Sequence, residues 1–307
     1  MTALLGAGEV ERWLAPGPLR GVLAQALMDL SAGRAAAPPR IAVRAAEGLL
    51  AAMPGYVPTE AGAGVLGAKL VTVFPGNAAR GLEGHQALIA LFDGATGAPL
   101  AVLDGTAITA ARTGGVSAVA TQALARREAR VLAILGTGVQ AEAHWRAVRE
   151  VREFAEVRVA GRSRARVAAR ADAWGAVAAE SFEAAVRGAD VVCACTHAAE
   201  PILRRGWLRA GAHVNSVGIG GCELDRETVT AGLLAVEALT AFAPFPIGAY
   251  ELQGLERSRG VELGTILAGG HPGRRSEEEI TVFKSVGHAV EDVATAAWVW
   301  QRARMLG

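Results

Sequence analysis

Of the 31 lysine and arginine residues in this 307-residue chain, only Lys69 and Lys284 are lysines. Every other such position is arginine, even on segments that read as solvated helix faces. Arginine stays charged at any workable pH, whereas the lysine ammonium is compact, shifts its pKa when buried and can deliver a proton. Lys69, inside the apolar stretch "GVLGAKLVTVF", is therefore a candidate proton donor or carboxylate ligand. The competing reading is an ordinary strand lysine that snorkels to solvent. Lys284 precedes Ser285 in "FKSVG".

A second constellation lies in "RVLAILGTGVQAEAHWRAV", an apolar run leading into Gly136, Gly138 and Ala141 and then a helical pattern. It fits G-x-G-x-x-A. The first glycine permits a tight turn, the second lets the backbone approach a pyrophosphate, and the small third residue lets helix and strand pack closely. The helix N-terminus supplies an anion site. About 20 residues on, an NAD site would place an acidic residue for the ribose 2′-hydroxyl. This chain reads "EVRVAGRSRAR", with Gly161 in that place, followed by Arg162, Ser163, Arg164 and Arg166. An arginine fork suits a 2′-phosphate, so the expected cofactor is NADP(H). A solvated basic helix start is the plainer alternative.

The elements that must position these residues change in character near residue 115. Before it, an opening helix at about residues 17 to 31 is followed by strands around Ile41, in "KLVTVFPGN" and in "QALIALFDGATGAPLAVLDG", joined by Gly, Asp and Pro turns. After it, helices alternate with the short apolar strands "RVLAILG", "EVRVAG", "DVVCACT" and "HVNSVG", the pattern of parallel βαβ units. The final segment "ITVFKSVGHAVEDVATAAWVWQRARM" reads as one long helix with apolar positions suited to docking back on the first domain. The expected fold class is α/β. Residues 1–114 are expected to form a sheet-rich domain, residues 115–287 a Rossmann domain that binds NADP, and residues 288–307 to pack back on the first.

Composition bounds the partners. A hydrophobic content of 51% with 38 glycines suits packed globular layers, and a net charge of +1 gives no expectation of nucleic acid or an acidic membrane surface as partner. No apolar run reaches the roughly 18 residues of a membrane span, and the start lacks a basic segment ahead of an apolar core, so a cytoplasmic location is expected. Three cysteines, two of them in "ADVVCACT", read as reduced core thiols, and six scattered histidines form no metal spacing.

Seven segments in order carry a resemblance that covers nearly the whole chain: "PPR" at 38–40, "AKLVTVFPGN", "HQALIALFDGATGAPLAVLDGTAITAARTGGVSA", "LGTGVQA", "GADVVCACTHAAEPIL", "AHVNSVG" and "EEEITVFKSVGHAVED". Together they resemble the ornithine cyclodeaminase/mu-crystallin family, most of all its ketimine and Δ1-pyrroline-2-carboxylate reductase members. The resemblance implies a homodimer in which residues 1–114, completed by residues 288–307, form the substrate-binding and dimerisation domain, and a small imino or amino acid as substrate. It puts the carboxylate-binding arginine at Arg40, the active-site lysine at Lys69 and a second arginine at Arg112. Cofactor contacts fall on Gly136, Thr137, Gly138, Val139, Gln140, Arg162, Ser163, Thr196, Val217 and Ser285, while His85 matches a position near the cofactor.

Two departures narrow the activity. Ornithine cyclodeaminases carry a Glu where this chain has Ala51, and a catalytic Asp where it has Gly220 in "VGIGGCELD". Without those carboxylates the chain lacks the base that cyclodeamination needs. Glu223 or Asp225 would substitute only if the shortened loop folded back. A further stretch, "AFAPFPIGAYELQG", lacks the acidic and Lys-Glu pattern of relatives. The expected reaction is NADPH-dependent reduction of a small cyclic 2-imino acid. The alternatives are an alanine or N-alkyl amino acid dehydrogenase, an ornithine cyclodeaminase, and a non-catalytic NADP(H)-binding protein of the crystallin kind.

Overall fold

The computed structural model of the protein describes residues 2–59 and 62–306. The chain divides into two compact units, Met1–Arg112 with His288–Gly307, and Thr113–Gly287.

The first unit contains β1 (Ala3–Leu5), α1 (Ala7–Glu11), α2 (Pro16–Ser31), β2 (Ile41–Arg44), β3 (Leu49–Thr59), β4 (Gly62–Val73), β5 (His85–Asp93), β6 (Pro99–Asp104) and the start of α3 (Gly105–Leu124). Its strands form a six-stranded sheet in the order β1-β6-β5-β4-β3-β2, antiparallel except where β1 runs beside β6. Alternation along each strand gives the sheet two faces. Met53, Lys69, Ile89 and Leu103 are cross-strand partners in one inward row. The returning helix, α9 (Ala289–Leu306), packs over that face through Val290, Val293 and Ala297. Gly55 and Gly67, which oppose each other in register, make room for it. A Cβ on Gly67 would lie 2.9 Å from the Val293 side chain, and one on Gly55 3.3 Å from Ala289.

The second unit is a parallel sheet of eight strands in the order β13-β12-β14-β11-β10-β7-β8-β9. The strands are β7 (Val131–Leu135), β8 (Glu156–Ala160), β9 (Val177–Ala178), β10 (Val191–Ala194), β11 (His213–Ser216), β12 (Leu233–Val236), β13 (Gly260–Glu262) and β14 (Thr281–Lys284). Between them run α4 (Val139–Val148), α5 (Arg164–Trp174), α6 (Phe182–Val186), α7 (Arg226–Val229) and α8 (Leu263–Leu267). β10, β11, β12 and β14 are buried along their whole length, as expected of strands covered on both faces. Cys193 and Cys195 sit in this core as free thiols, and burial pushes Cys193 up to about 12.

The segment expected to be one long helix from "ITVFK" onward is not one. Thr281–Lys284 is a central strand between β11 and β12, and the helix begins only at Ala289. The β-branched and aromatic Thr-Val-Phe run favours a buried strand. Gly287, at φ 71°, separates strand from helix with a left-handed turn that suits glycine. β12 and β13, flanked by glycine and short 3₁₀ turns, were not expected either.

Candidate functional site

In the first unit the inward row of β4 carries its one charged member, Lys69, only 2% exposed. Its ammonium lies 2.6 Å from Asp292 Oδ2 on α9 and 3.5 Å from Thr109 Oγ1 on α3. Arg112, one turn further along α3, donates through Nε to the other Asp292 oxygen at 2.9 Å and through Nη1 to Glu291 Oε2 at 2.8 Å. Arg40, half-buried just ahead of β2, adds a third positive charge that Lys69 feels. Burial lowers the Lys69 pKa to about 8, with Asp292 opposing and Arg112 and Arg40 contributing to the fall. Burial alone would raise the Asp292 carboxyl, but the Arg112 guanidinium and the Lys69 ammonium hold it below its ordinary value.

This cluster gathers Lys69, Arg112 and Arg40 within one unit, and it adds two carboxylates that the sequence reading missed. Glu291 and Asp292 are both fully buried. An adjacent acidic pair in the first turn of an otherwise apolar helix was the available signal, because an acidic residue on a packed helix face needs a cation. Their partner lies 179 and 180 residues away, so no local motif joins them.

In the second unit, β7 runs through the Gly136–Gly138 turn into α4. Gly136 has φ 131°, and a Cβ there would stand 2.5 Å from the Cys195 carbonyl oxygen. Only glycine fits. Gly138 is the N-cap of α4, with open space where a Cβ would be, and Ala141 is fully buried behind it. Val139 is exposed, and the buried Gln140 Oε1 has no hydrogen-bond partner among the described residues. The turn thus leaves backbone open to close approach just ahead of a helix N-terminus, an arrangement able to hold a pyrophosphate. At the end of β8, a Cβ on Gly161 would lie 3.1 Å from Thr137 Cγ2. Arg162 beside it is exposed, and Ser163 caps α5 by accepting from the Arg166 backbone N–H at 3.4 Å.

The remaining expected cofactor contacts, Thr196, Val217 and Ser285, meet a different network. Glu223 Oε1 accepts from the Thr196 backbone N–H and hydroxyl, at 2.6 and 2.9 Å. Its Oε2 accepts from the Ser216 hydroxyl and from the backbone N–H groups of Val217 and Gly218, at 2.8, 3.1 and 2.8 Å. Lys284 donates to Gly218 O at 2.5 Å and to Ser216 Oγ at 2.9 Å, and pairs with Glu251 at 2.8 Å. Glu251 in turn accepts from the Glu223 backbone N–H at 2.8 Å. Ser285 donates its hydroxyl to Glu237. Glu223 is thus fully engaged in joining strand-end loops, and Asp225 caps α7 through the Thr228 N–H at 2.8 Å. Ala51 is a buried β3 residue, Gly220 presents no side chain, and His85 is exposed at the start of β5. Within "AFAPFPIGAYELQG", Glu251 is the buried partner of Lys284, a role its local sequence does not betray.

With strand, glycine turn and helix in this order on a parallel sheet, the second unit is a Rossmann domain, and the protein is an oxidoreductase served by a pyridine nucleotide. The chain belongs to the ornithine cyclodeaminase/mu-crystallin family, whose model matches residues 2–306. It is 40% identical over 258 residues to ketimine reductase mu-crystallin from Mus musculus, a match covering 82% of this chain and 80% of that protein. The Thermococcus litoralis Δ1-pyrroline-2-carboxylate reductase, solved in complex with NADH and L-proline, superposes with a TM-score of 0.90 at 32% identity, covering 99% of this chain and 98% of that one. An archaeal alanine dehydrogenase dimer with bound NAD superposes with a TM-score of 0.86 at 30% identity, covering 99% and 96%.

Proposed function

We propose that the protein reduces a small cyclic 2-imino acid, Δ1-pyrroline-2-carboxylate or Δ1-piperideine-2-carboxylate, to the cyclic amino acid, with NADPH as cofactor. The observation that carries this reading is Lys69, a buried ammonium whose pKa of about 8 matches proton donation near neutral pH. Arg40 and Arg112 orient the substrate carboxylate, and Lys69 holds the proton destined for the imine nitrogen. The Gly136–Gly138 turn, the α4 N-terminus and Gln140 hold the nucleotide, which supplies the hydride when bound. Exposed Arg162 beside Gly161 favours the 2′-phosphate, although the solved relatives contain NAD or NADH.

Cyclodeamination is disfavoured by the same residues. Ala51 and Gly220 offer no carboxylate, and Glu223 and Asp225 are held by backbone donors. The test is an assay of the purified protein with NADPH and each cyclic imine, with pyruvate plus amines, and with ornithine plus NAD. Cyclic imine reduction without ammonia release from ornithine is expected. Proline formation from ornithine at a comparable rate would overturn the assignment.

The same reading includes a homodimer. Ile41, Ala52, Leu70 and Leu88 are successive cross-strand partners on the outward face of the first sheet. Ile41, Leu70 and Leu88 are 71, 46 and 56% exposed, with Val43 and Leu50 exposed beside them. A contiguous apolar sheet face of this kind suits a second copy. Leu70→Asp with Leu88→Asp should convert the dimer to a monomer in sedimentation, and an unaltered mass would remove this face from the interface.

A further inference from the structure

We propose that Asp292 is the positioning residue for Lys69: the carboxylate on α9 keeps the β4 lysine charged and aims its ammonium. The inference rests on the reading of Lys69 as proton donor, and it concerns a residue outside every motif that suggested that reading.

Lys69 projects from a row whose cross-strand neighbours, Met53 on β3 and Ile89 on β5, are apolar. The charged groups facing it come from elsewhere in its unit: Arg112 from α3, Asp292 with Glu291 behind it from α9, and Arg40 from the segment before β2. Among the described residues, Thr109 on α3 is the polar neighbour that Lys69 also contacts. Formal charges are three cations against two anions. Glu291 Oε2 accepts from Arg112 and from the His288 backbone N–H, and Asp292 is the carboxylate paired with Lys69.

Each Asp292 oxygen has one cation, Oδ2 with Lys69 and Oδ1 with Arg112. Arginine cannot give up its proton in this environment, whereas lysine can. Lys69 is therefore the cation in the cluster whose charge can vary, and Asp292 is the group that decides it. Removing the Asp292 charge leaves three cations facing one anion in a buried place, and the ammonium releases its proton to relieve them.

Because the chain has only two lysines, labelling with [ε-¹³C]lysine gives two side-chain signals, and Lys69→Arg identifies one of them. In the wild type the Lys69 signal should titrate near pH 8. In Asp292→Asn the midpoint should fall by about one to three pH units, the effect of losing an adjacent opposite charge. The alkaline limb of kcat/KM for imine reduction should move with it. An unmoved midpoint in a variant that still binds NADPH would overturn the proposal. Asp292→Glu keeps the charge but lengthens its reach, so the midpoint should stay near that of the wild type while kcat falls about tenfold or more. An Asp292→Glu enzyme with wild-type kcat would likewise overturn the positioning role. A midpoint that moves while the rate profile stays fixed would uphold the Asp292–Lys69 coupling and overturn proton donation by Lys69 instead.

Discussion

Lys69 and Lys284 are both buried beside a carboxylate, yet their surroundings are opposite in kind. Lys284 is ion-paired with Glu251 and donates to Ser216 Oγ and the Gly218 carbonyl, with Glu223 behind Ser216. Lys69 shares Asp292 with Arg112, among the described residues has only the long contact to Thr109 besides, and lies near a further arginine. The ratio of cations to carboxylates separates the two roles. Burial and the neighbouring arginines lower the Lys69 pKa and leave that ammonium poised to titrate.

The largest effect that sharpens this contrast is catalytic. Lys69→Arg should lower kcat for imine reduction by about 10²–10⁴-fold, because a guanidinium is too planar and too basic to donate. NADPH affinity, read by fluorescence, should survive. Retained turnover would make Lys69 a generic charge and dissolve the difference between the two lysines.

Next comes stability. Lys284→Met leaves Glu251 buried without its cation and should cost about 3–5 kcal/mol in urea unfolding. Lys69→Met should cost less, since Asp292 keeps Arg112. Equal losses would show that both lysines are struts. The smallest effect lies at the nucleotide: Arg162→Ala should raise the NADPH KM about tenfold, a charge-assisted contact being worth roughly 1.5–3 kcal/mol, and leave NADH use nearly unchanged. Equal losses with both cofactors would remove Arg162 from the 2′-phosphate.

The parts of the molecule legible in the sequence are those whose cause is local. The β7–turn–α4 unit was readable because one tight turn demands Gly136, and the exclusion of side chains at that turn is a property of a few consecutive residues. The odd lysine at position 69 was readable against a background of arginine. Asp292 was not, because its meaning depends on a strand and a helix that come together only in the folded unit. The strand at Thr281–Lys284 was hidden for a related reason: an apolar run fits strand or helix, and only its place between β11 and β12 decides.

The opposed glycines Gly55 and Gly67 give the charged cluster an unexpected dependence. They set how closely α9 can lie on the sheet, and α9 carries both carboxylates of the cluster. A single methyl group at Gly67, adding no charge and removing none, would press on the Val293 side chain beside Asp292 as well as on Leu91, and is expected to loosen the Asp292–Lys69 pair. The acidity of the lysine is thus governed partly by a steric gauge two residues along the strand, so a mutation that looks like a packing change would register as a change in proton affinity.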